Sequence, residues 1–323
     1  MTVFFIRRLA QSFTVLIVMS MIVFVIIYAI GDPVILLMDP EASLSEREEV
    51  THKLGLDRPL YVQYFHFVGG LIKGDLGHSY VHNISALKLI FQRMPATLEL
   101  AFLAIFIAIL AGIPLGIWAG VKPDSIISKG IMTGSILGFS LPTFWVGLIM
   151  ILLFSIQLDW LPTFGRGQTV EIWGISVSFL TIDGIRHLIM PAVNMSLYPL
   201  SLIIRLVRAG MQETLPLDFV KFARAKGLSN HRVILVHVLK NIMIPVVTII
   251  GVQFGIILAF AVVTESVFAW PGMGKLIIDS INLLDRPVIV AYLLITVLMF
   301  MFINLVVDLL YSVLDPRIRL GGS

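Results

Sequence analysis

Four groupings of residues in this 323-residue chain have types and spacings that could do chemistry. His78 and His82 stand four apart, which on a helix would set two imidazoles on one face as the start of a metal site. Two ligands fall short of a metal centre, and Gly77 and Asn83 beside them favour a bent loop, so no metal site is expected. Gly272-Met273-Gly274-Lys275-Leu276 comes nearest to a phosphate-binding loop, but it lacks the first glycine at the required spacing and a Ser or Thr after the lysine. It reads as a turn. Asp308 lies inside an apolar run with Asn304 one turn away, the arrangement of a structural polar pair or of a proton site. The fourth grouping is the richest in charge. Between Arg208 and Lys240 the chain carries Arg208, Lys221, Arg224, Lys226, Arg232 and Lys240 against Glu213 and Asp218, in a helix-prone stretch wedged between two apolar runs. A polar helix fixed at a membrane exit is a contact surface, and its positive excess places it on the cytoplasmic side.

Covalent and acid–base catalysis finds little to work with. There is no H-E-x-x-H, no G-x-S-x-G and no pair of acids on facing apolar runs. Cysteine is absent, which removes disulfides, thiol catalysis and thiolate metal sites together. No catalytic residue and no cofactor held by this chain is expected. Lys and Arg gather at the ends of apolar runs, without an aromatic-interleaved basic stripe, and nucleic acid is set aside as a partner.

The elements that must carry these residues follow from composition. With 58% apolar and 13% charged residues and a mean hydropathy of +0.98, the chain belongs in a lipid bilayer. Six apolar runs are long enough to cross: Leu9 to Ile30, Leu98 to Gly120, Ile131 to Gln157, Leu188 to Val207, Asn241 to Thr264 and Val288 to Leu314. Lipid leaves backbone groups no outside partner, and alternating barrel strands are absent, so the runs read as α-helices. The expected fold is an all-α bundle of six transmembrane helices. Arg7-Arg8 before the first run gives it the outline of a signal sequence, yet the run is too long and no small-residue cleavage site follows; a retained helix is expected.

With both termini inside, the cytoplasmic segments hold one Lys or Arg in five residues and the external ones one in twelve. The layout is then a tail and first helix at 1–30, an extracytoplasmic subdomain at 31–97, a five-helix core at 98–314 with the cytoplasmic loop 208–240, and a cytoplasmic tail at 315–323. Within the subdomain Tyr61, Tyr64, Phe65, Phe67 and Leu71 are spaced for one helical face lying along the membrane surface. No internal repeat is visible, so carriers built from inverted repeats gain no support.

Pro114, Pro142, Pro191, Pro199 and Pro245 fall within or at the edges of these runs, where each removes a backbone donor and can bend its helix. Around Pro142, Ser140, Thr143, Phe144 and Trp145 combine hydroxyls with bulky rings, and Gln253 lies between Gly251 and Gly255. This pattern fits either close packing through small residues or the lining of a neutral path for varied solutes. Without an ion-coupling or nucleotide site, uphill movement along such a path needs energy from another polypeptide, delivered through the 208–240 loop.

The whole pattern resembles the permease subunits of ATP-binding-cassette importers, in the dipeptide, oligopeptide and nickel branch of the type I fold. The likeness rests on Phe5-Ile6-Arg7-Arg8-Leu9, Gly31-Asp32-Pro33, Leu54-Gly55-Leu56-Asp57-Arg58-Pro59, Gly74-Asp75-Leu76-Gly77 and Pro95-Ala96-Thr97-Leu98-Glu99-Leu100. It continues through Ala223-Arg224-Ala225-Lys226-Gly227-Leu228, Phe268-Ala269-Trp270-Pro271-Gly272, Asn304-Leu305-Val306-Val307-Asp308 and Asp315-Pro316-Arg317-Ile318-Arg319. Each is weak alone; in order along nearly the whole chain they are specific.

The resemblance implies a coupling helix to an ATPase over Lys221, Phe222, Ala223, Arg224, Ala225, Lys226, Gly227 and Leu228. Lys221 and Phe222 stand where the wider family has Glu and Ala, while His237 and Lys240 stand where Ile and Pro are usual. It further implies a second homologous permease subunit, two ATP-binding subunits that hold ATP and Mg, and an extracytoplasmic peptide-binding protein. The location would be the inner membrane of a prokaryote. Di- and oligopeptides are the expected solute, with nickel, metal chelates or glutathione as the alternative, and a proton-coupled carrier using Asp308 as the reading of another class.

Overall fold

The computed structural model describes the backbone of residues 2–29, 44–53 and 57–314, with side chains in those ranges apart from 2–9, 12, 27–29, 44, 47, 50, 53 and 308–314. Among the described residues eleven helices follow one another: α1 (Thr2–Ala29), α2 (Leu44–Lys53), α3 (Leu60–Ile72), α4 (Ala86–Val121), α5 (Ile126–Ser140), α6 (Thr143–Met150, continuing as π-helix over Ile151–Gln157), α7 (Ile182–Thr214), α8 (Asp218–Ala225), α9 (Asn230–Val267), α10 (Met273–Asn282) and α11 (Arg286–Leu314). A hairpin of β1 (Val170–Ile172) and β2 (Ile175–Val177) lies between α6 and α7, with Glu171 opposite Ser176.

Four described helices are long and apolar enough to span a bilayer, α4, α7, α9 and the Arg286–Val307 part of α11; α5 with α6 adds a fifth if the bent pair is one span. The described apolar stretch of α1, Phe13–Ile26, is shorter than a span. Six spans is therefore the sequence expectation, and four to five is what the described residues carry. Helices also outrun their apolar runs. α4 starts at Ala86, twelve residues before Leu98, and α9 starts at Asn230, eleven before Asn241.

Proline acts unevenly. The helix continues through Pro191 and Pro199 in α7 and through Pro245 in α9. At Pro142 the chain leaves the helix, and α5 and α6 meet at 108°. The run Ile131 to Gln157 is thus two helices joined at a sharp break and not one kinked rod. Leu141 has φ −79° and ψ 135°, the extended conformation that a following proline imposes on its neighbour.

The chain divides into two compact units, Met1–Pro95 with Gly272–Met301, and Ala96–Pro271 with Phe302–Ser323. In the first, α3 faces α1. Tyr64 shares a 2.8 Å hydrogen bond with Ser20 and meets Phe24 edge-on at 5.4 Å, while Phe67 and Leu71 pack against the cluster of Val23, Val290 and Leu294. Tyr61 and Phe65 are exposed. The five residues expected on one face are therefore split, because an inward stripe of Tyr64, Phe67 and Leu71 is used for protein contact. Gly74 and Gly77, with φ +75° and +83°, turn the chain into a loop whose anchor is Asp285. This buried carboxylate accepts from the Ser79 hydroxyl and, at 3.0 Å, from the Tyr80 amide. Burial, with the Asp285 charge adding to it, raises the Tyr80 phenol above its usual pKa against the opposing Arg286 charge.

In the second unit α7 is the most buried candidate span and packs against α5 and α9. It is capped by Thr181, whose hydroxyl accepts from the Gly184 amide at 2.9 Å. Against α4 the approach is closest. A Cβ on Gly112 would come within 2.8 Å of Ile203, and one on Gly116 within 2.7 Å of Val207; Gly120 faces Met211. Glycines at every fourth position of α4 thus receive Ile203, Val207 and Met211, themselves four apart on α7, and let the two backbones nearly touch.

Candidate functional site

The polar segment after α7 folds as the short helix α8 with two unlike faces. Its buried residues are Val220, at 0% exposure, and Ala223, at 7%. Three positions apart, they share one side of the helix and join a core of Ile203, Val207 and Met211 from α7 with Val233, Val238, Ile242 and Val246 from α9. Burying a side chain such as Val220 contributes about 1.5–3 kcal/mol, enough to hold an eight-residue helix that would be marginal alone. Asp218 in the first turn and Arg224 in the last complement the helix dipole.

α8 ends in a tight reversal that uses the last residues of the segment. Leu228 donates its amide to the Ala223 carbonyl at 3.3 Å, Gly227 donates to Arg224 at 2.9 Å, and Gly227 has φ +79°. This is a Schellman closure, which needs a left-handed residue at Gly227 and an apolar one after it. Leu228 meets that need by packing on the same core. Ala223, Gly227 and Leu228 thus have structural reasons for their identity.

The opposite face is open. Phe222 is 62% exposed and Phe219 is also exposed, with Lys221, Arg224, Ala225 and Lys226 around them. The Lys226 ammonium lies 4.6 Å from the Phe222 ring centroid. Lys221 pairs with Asp218 at 2.9 Å, but both are so exposed that the bridge is worth only about 0–1 kcal/mol. An exposed aromatic ring bordered by cations has the make-up of a protein-binding hot spot. Beyond the turn, Val233–Val238 forms a π-helix at the foot of α9. Its wider turn lets Val233 and Val238, five positions apart, both reach 0% exposure, where an α-helix would set them about 140° apart.

Ser140, Phe144 and Trp145 are exposed around the 108° break and Thr143 is half-buried, so these four share one corner of the unit. Gln253 is separate in character, buried in α9 at 4% exposure with its side-chain carbonyl unpartnered.

A second polar assembly was invisible in the sequence. Arg166 donates two hydrogen bonds, of 3.0 and 2.7 Å, to the Glu99 carboxylate, which also accepts from the Ser178 amide at 2.6 Å and hydroxyl at 2.9 Å. Trp270, fully buried, donates its indole N–H to the Ala96 carbonyl at 2.9 Å, and the Thr97 hydroxyl donates to buried Glu265 at 2.6 Å. The Pro95–Leu100 and Phe268–Gly272 motifs are thereby brought together as a latch. Arg166, Ser178 and Glu265 had no local signature. The nearest signal was Glu99 at an outer helix end, a charge in want of a partner.

The remaining chemical candidates come apart. His78 pairs with Ser85 in an antiparallel bridge and His82 sits in a turn, so they do not share a helix face; no group of three metal-ligating side chains occurs among the described residues. Lys275 lies inside α10 and pairs with Asp279 at 3.0 Å. The side chain of Asp308 falls outside the described residues.

Comparison with known proteins places the chain among transport components. Residues 112–320 match the family described as binding-protein-dependent transport system inner membrane component, and residues 1–101 match its N-terminal counterpart. The di/tripeptide transport system permease protein of Pseudomonas aeruginosa is 40% identical, with 98% of each chain covered. The oligopeptide transport system permease protein of Bacillus subtilis is 38% identical over 99% of this chain and 100% of its own. A glutathione transport system permease protein of Escherichia coli is also 38% identical, covering 97% and 98%. Among solved structures, the inward-facing MetNI methionine ABC transporter superposes with a TM-score of 0.55 at 16% identity, covering 70% of this chain and 96% of that one. At that identity the likeness speaks for the fold.

Proposed function

This chain belongs to the family of binding-protein-dependent transport system inner membrane components, and we propose from that premise that α8 couples it to an ATPase. The protein is a membrane-spanning permease subunit of an ATP-driven importer of di- and oligopeptides, with the type I importer fold, and is not itself an enzyme. The observation that carries the peptide reading is end-to-end similarity to dipeptide and oligopeptide permeases.

The finer assignments are ours. Both termini face the cytoplasm, as the basic excess between Arg208 and Lys240 favours. A second, homologous permease subunit completes the pathway, with Ser140, Thr143, Phe144, Trp145 and Gln253 on this chain's share of it. Two ATP-binding subunits hold ATP and Mg, and an extracytoplasmic binding protein delivers the peptide. Lys221 to Leu228 seat in the ATPase through Phe222 and its cations. A push on that face reaches Val220 and Ala223, then Ile203, Val207 and Met211 of α7, with which α4 is interlocked through its glycines. Closure of the ATPases then rocks the bundle between inward and outward openings.

The test is the purified assembly in liposomes. Deleting Phe222–Leu228 is expected to abolish uptake and the peptide stimulation of ATP hydrolysis; unchanged values would overturn the coupling role. Glutathione is a second reading, favoured by the 38% identical glutathione permease. Calorimetric titration of the cognate binding protein with peptides, glutathione and metal chelates separates these solutes. A proton-driven carrier using Asp308 would instead take up solute by this chain alone under a pH gradient without ATP.

A further inference from the structure

Arg205 precedes Thr214, the last residue of α7, by nine positions, about 13 Å along the axis. Its guanidinium carbon lies 4.5 Å from the centroid of the Phe139 ring, and that ring stacks on Tyr198 at 5.1 Å and 24°. Among the described residues Arg205 has no hydrogen bond and no ion pair, and its Nε is buried without a partner. A charge on a membrane-spanning helix that finds no counter-charge among the described residues marks a functional group.

The surroundings are polar on one side and open on another. Close approach of the helices at Gly138, where a Cβ would lie 2.8 Å from the Ser201 hydroxyl, keeps α5 on α7 beside the arginine. Ser135, one turn before Phe139, is buried with an unpartnered hydroxyl. Phe139 and Tyr198 remain 41% and 37% exposed, so the stack is accessible, and Phe139 lies one residue from Ser140 at the 108° break. The aromatic face fixes the plane of the guanidinium, whose remaining N–H groups form a fork suited to a carboxylate.

We propose that Arg205, held by Phe139, which is itself stacked on Tyr198, is a transient subsite for the C-terminal carboxylate of the peptide in passage. This rests on the peptide-import reading and adds to it a substrate contact within the permease. A planar fork on a neutral, hydroxyl-bearing wall receives the one negative charge common to peptides of any sequence, while leaving their side chains unread.

The test uses the complete importer with its binding protein in liposomes and a tripeptide supplied as free acid and as C-terminal amide. Each is used above the concentration that saturates the binding protein, fixed beforehand by calorimetry. Unaltered importer is expected to carry the free acid about tenfold faster than the amide, the worth of a charge-assisted hydrogen bond. Arg205→Gln is expected to remove that difference by slowing the acid alone, and Arg205→Lys to restore part of it. Equal rates for acid and amide in the unaltered importer overturn the subsite, as does an equal loss for both forms in Arg205→Gln. A loss that follows anionic lipid content irrespective of peptide terminus also overturns it, assigning the guanidinium to a headgroup. If the unaltered importer carries no peptide of either form, the peptide-import reading itself falls and the subsite with it. The acid–amide comparison needs no variant, so equal rates overturn the subsite even if Arg205→Gln fails to assemble, and Arg205→Lys then carries the assignment.

Discussion

Replacing Gly227 with alanine isolates backbone conformation at the end of α8. A Cβ built there meets nothing within 4 Å, so no clash contributes, and the whole penalty comes from holding an L-residue at φ +79°. That penalty is about 1–2 kcal/mol. The alternative, abandoning the turn, gives up the bonds from Leu228 to Ala223 and from Gly227 to Arg224, each worth about 0.5–1.5 kcal/mol, together with the seat of Leu228 on the core. The two routes are comparable, and the lesser sets the effect at about 5- to 30-fold in the population of the docked turn. Asparagine enters the left-handed region more readily and should lose far less. The assay is titration of ATPase subunits onto the reconstituted permease, read as peptide-stimulated ATP hydrolysis. Alanine should raise the half-saturating ATPase concentration within that range while asparagine stays close to the parent. Equal damage from both, or none from alanine, would refute the argument, since the first points to steric exclusion at the partner surface and the second to a dispensable turn.

Phe222→Ala removes a side chain that is 62% exposed, so thermal unfolding should move by no more than about 0.5 kcal/mol, while co-purification with the ATPase falls by the ~2 kcal/mol or more of a hot spot. Glu99→Leu leaves the part-buried Arg166 charge and the buried Ser178 amide without their acceptor, a loss of about 3–5 kcal/mol; adding Arg166→Leu should recover only part of it in the same thermal measurement, because the Ser178 donor stays unpaired. Trp270→Phe should lower stability by about 1–3 kcal/mol, because the ring volume largely remains and the Ala96 carbonyl loses its donor. Gly116→Ala should destabilise by about 1–3 kcal/mol through contact with Val207, whereas Gly130→Ala, with nothing within 4 Å, should be tolerated under identical heating.

The spans were legible because hydropathy responds to the length of chain that lipid must accept. It could not register where a helix continues into polar surroundings, which is why Ala86 and Asn230 escaped as helix starts. Proline marked candidate bends without ranking them; the decisive difference at Pro142 is the extended Leu141 before it. The basic segment was legible as a short polar helix from its charge and spacing, and the identities of Ala223 and Leu228 in its motif are explained by their packing on the core. The latch was not legible, since Glu99, Arg166, Ser178 and Glu265 become neighbours only through tertiary folding. The glycine ribbon of α4 was written in the sequence as three glycines spaced by four, and its meaning depended on α7 lying across it. Hydropathy ends the fourth apolar run at Val207, two residues after Arg205, whereas α7 continues to Thr214.

The wide turns at Val233–Val238 bear on how motion could pass from α8 into α9. A π-helix stores one residue more than the same stretch needs in α form. Were it to tighten, every residue beyond it would advance by one position, swinging the rest of α9, Gln253 included, by about 100° around its axis. Torque, and not only thrust, would then be available at the foot of this helix, a screw thread cut where the polar segment joins the long apolar helix.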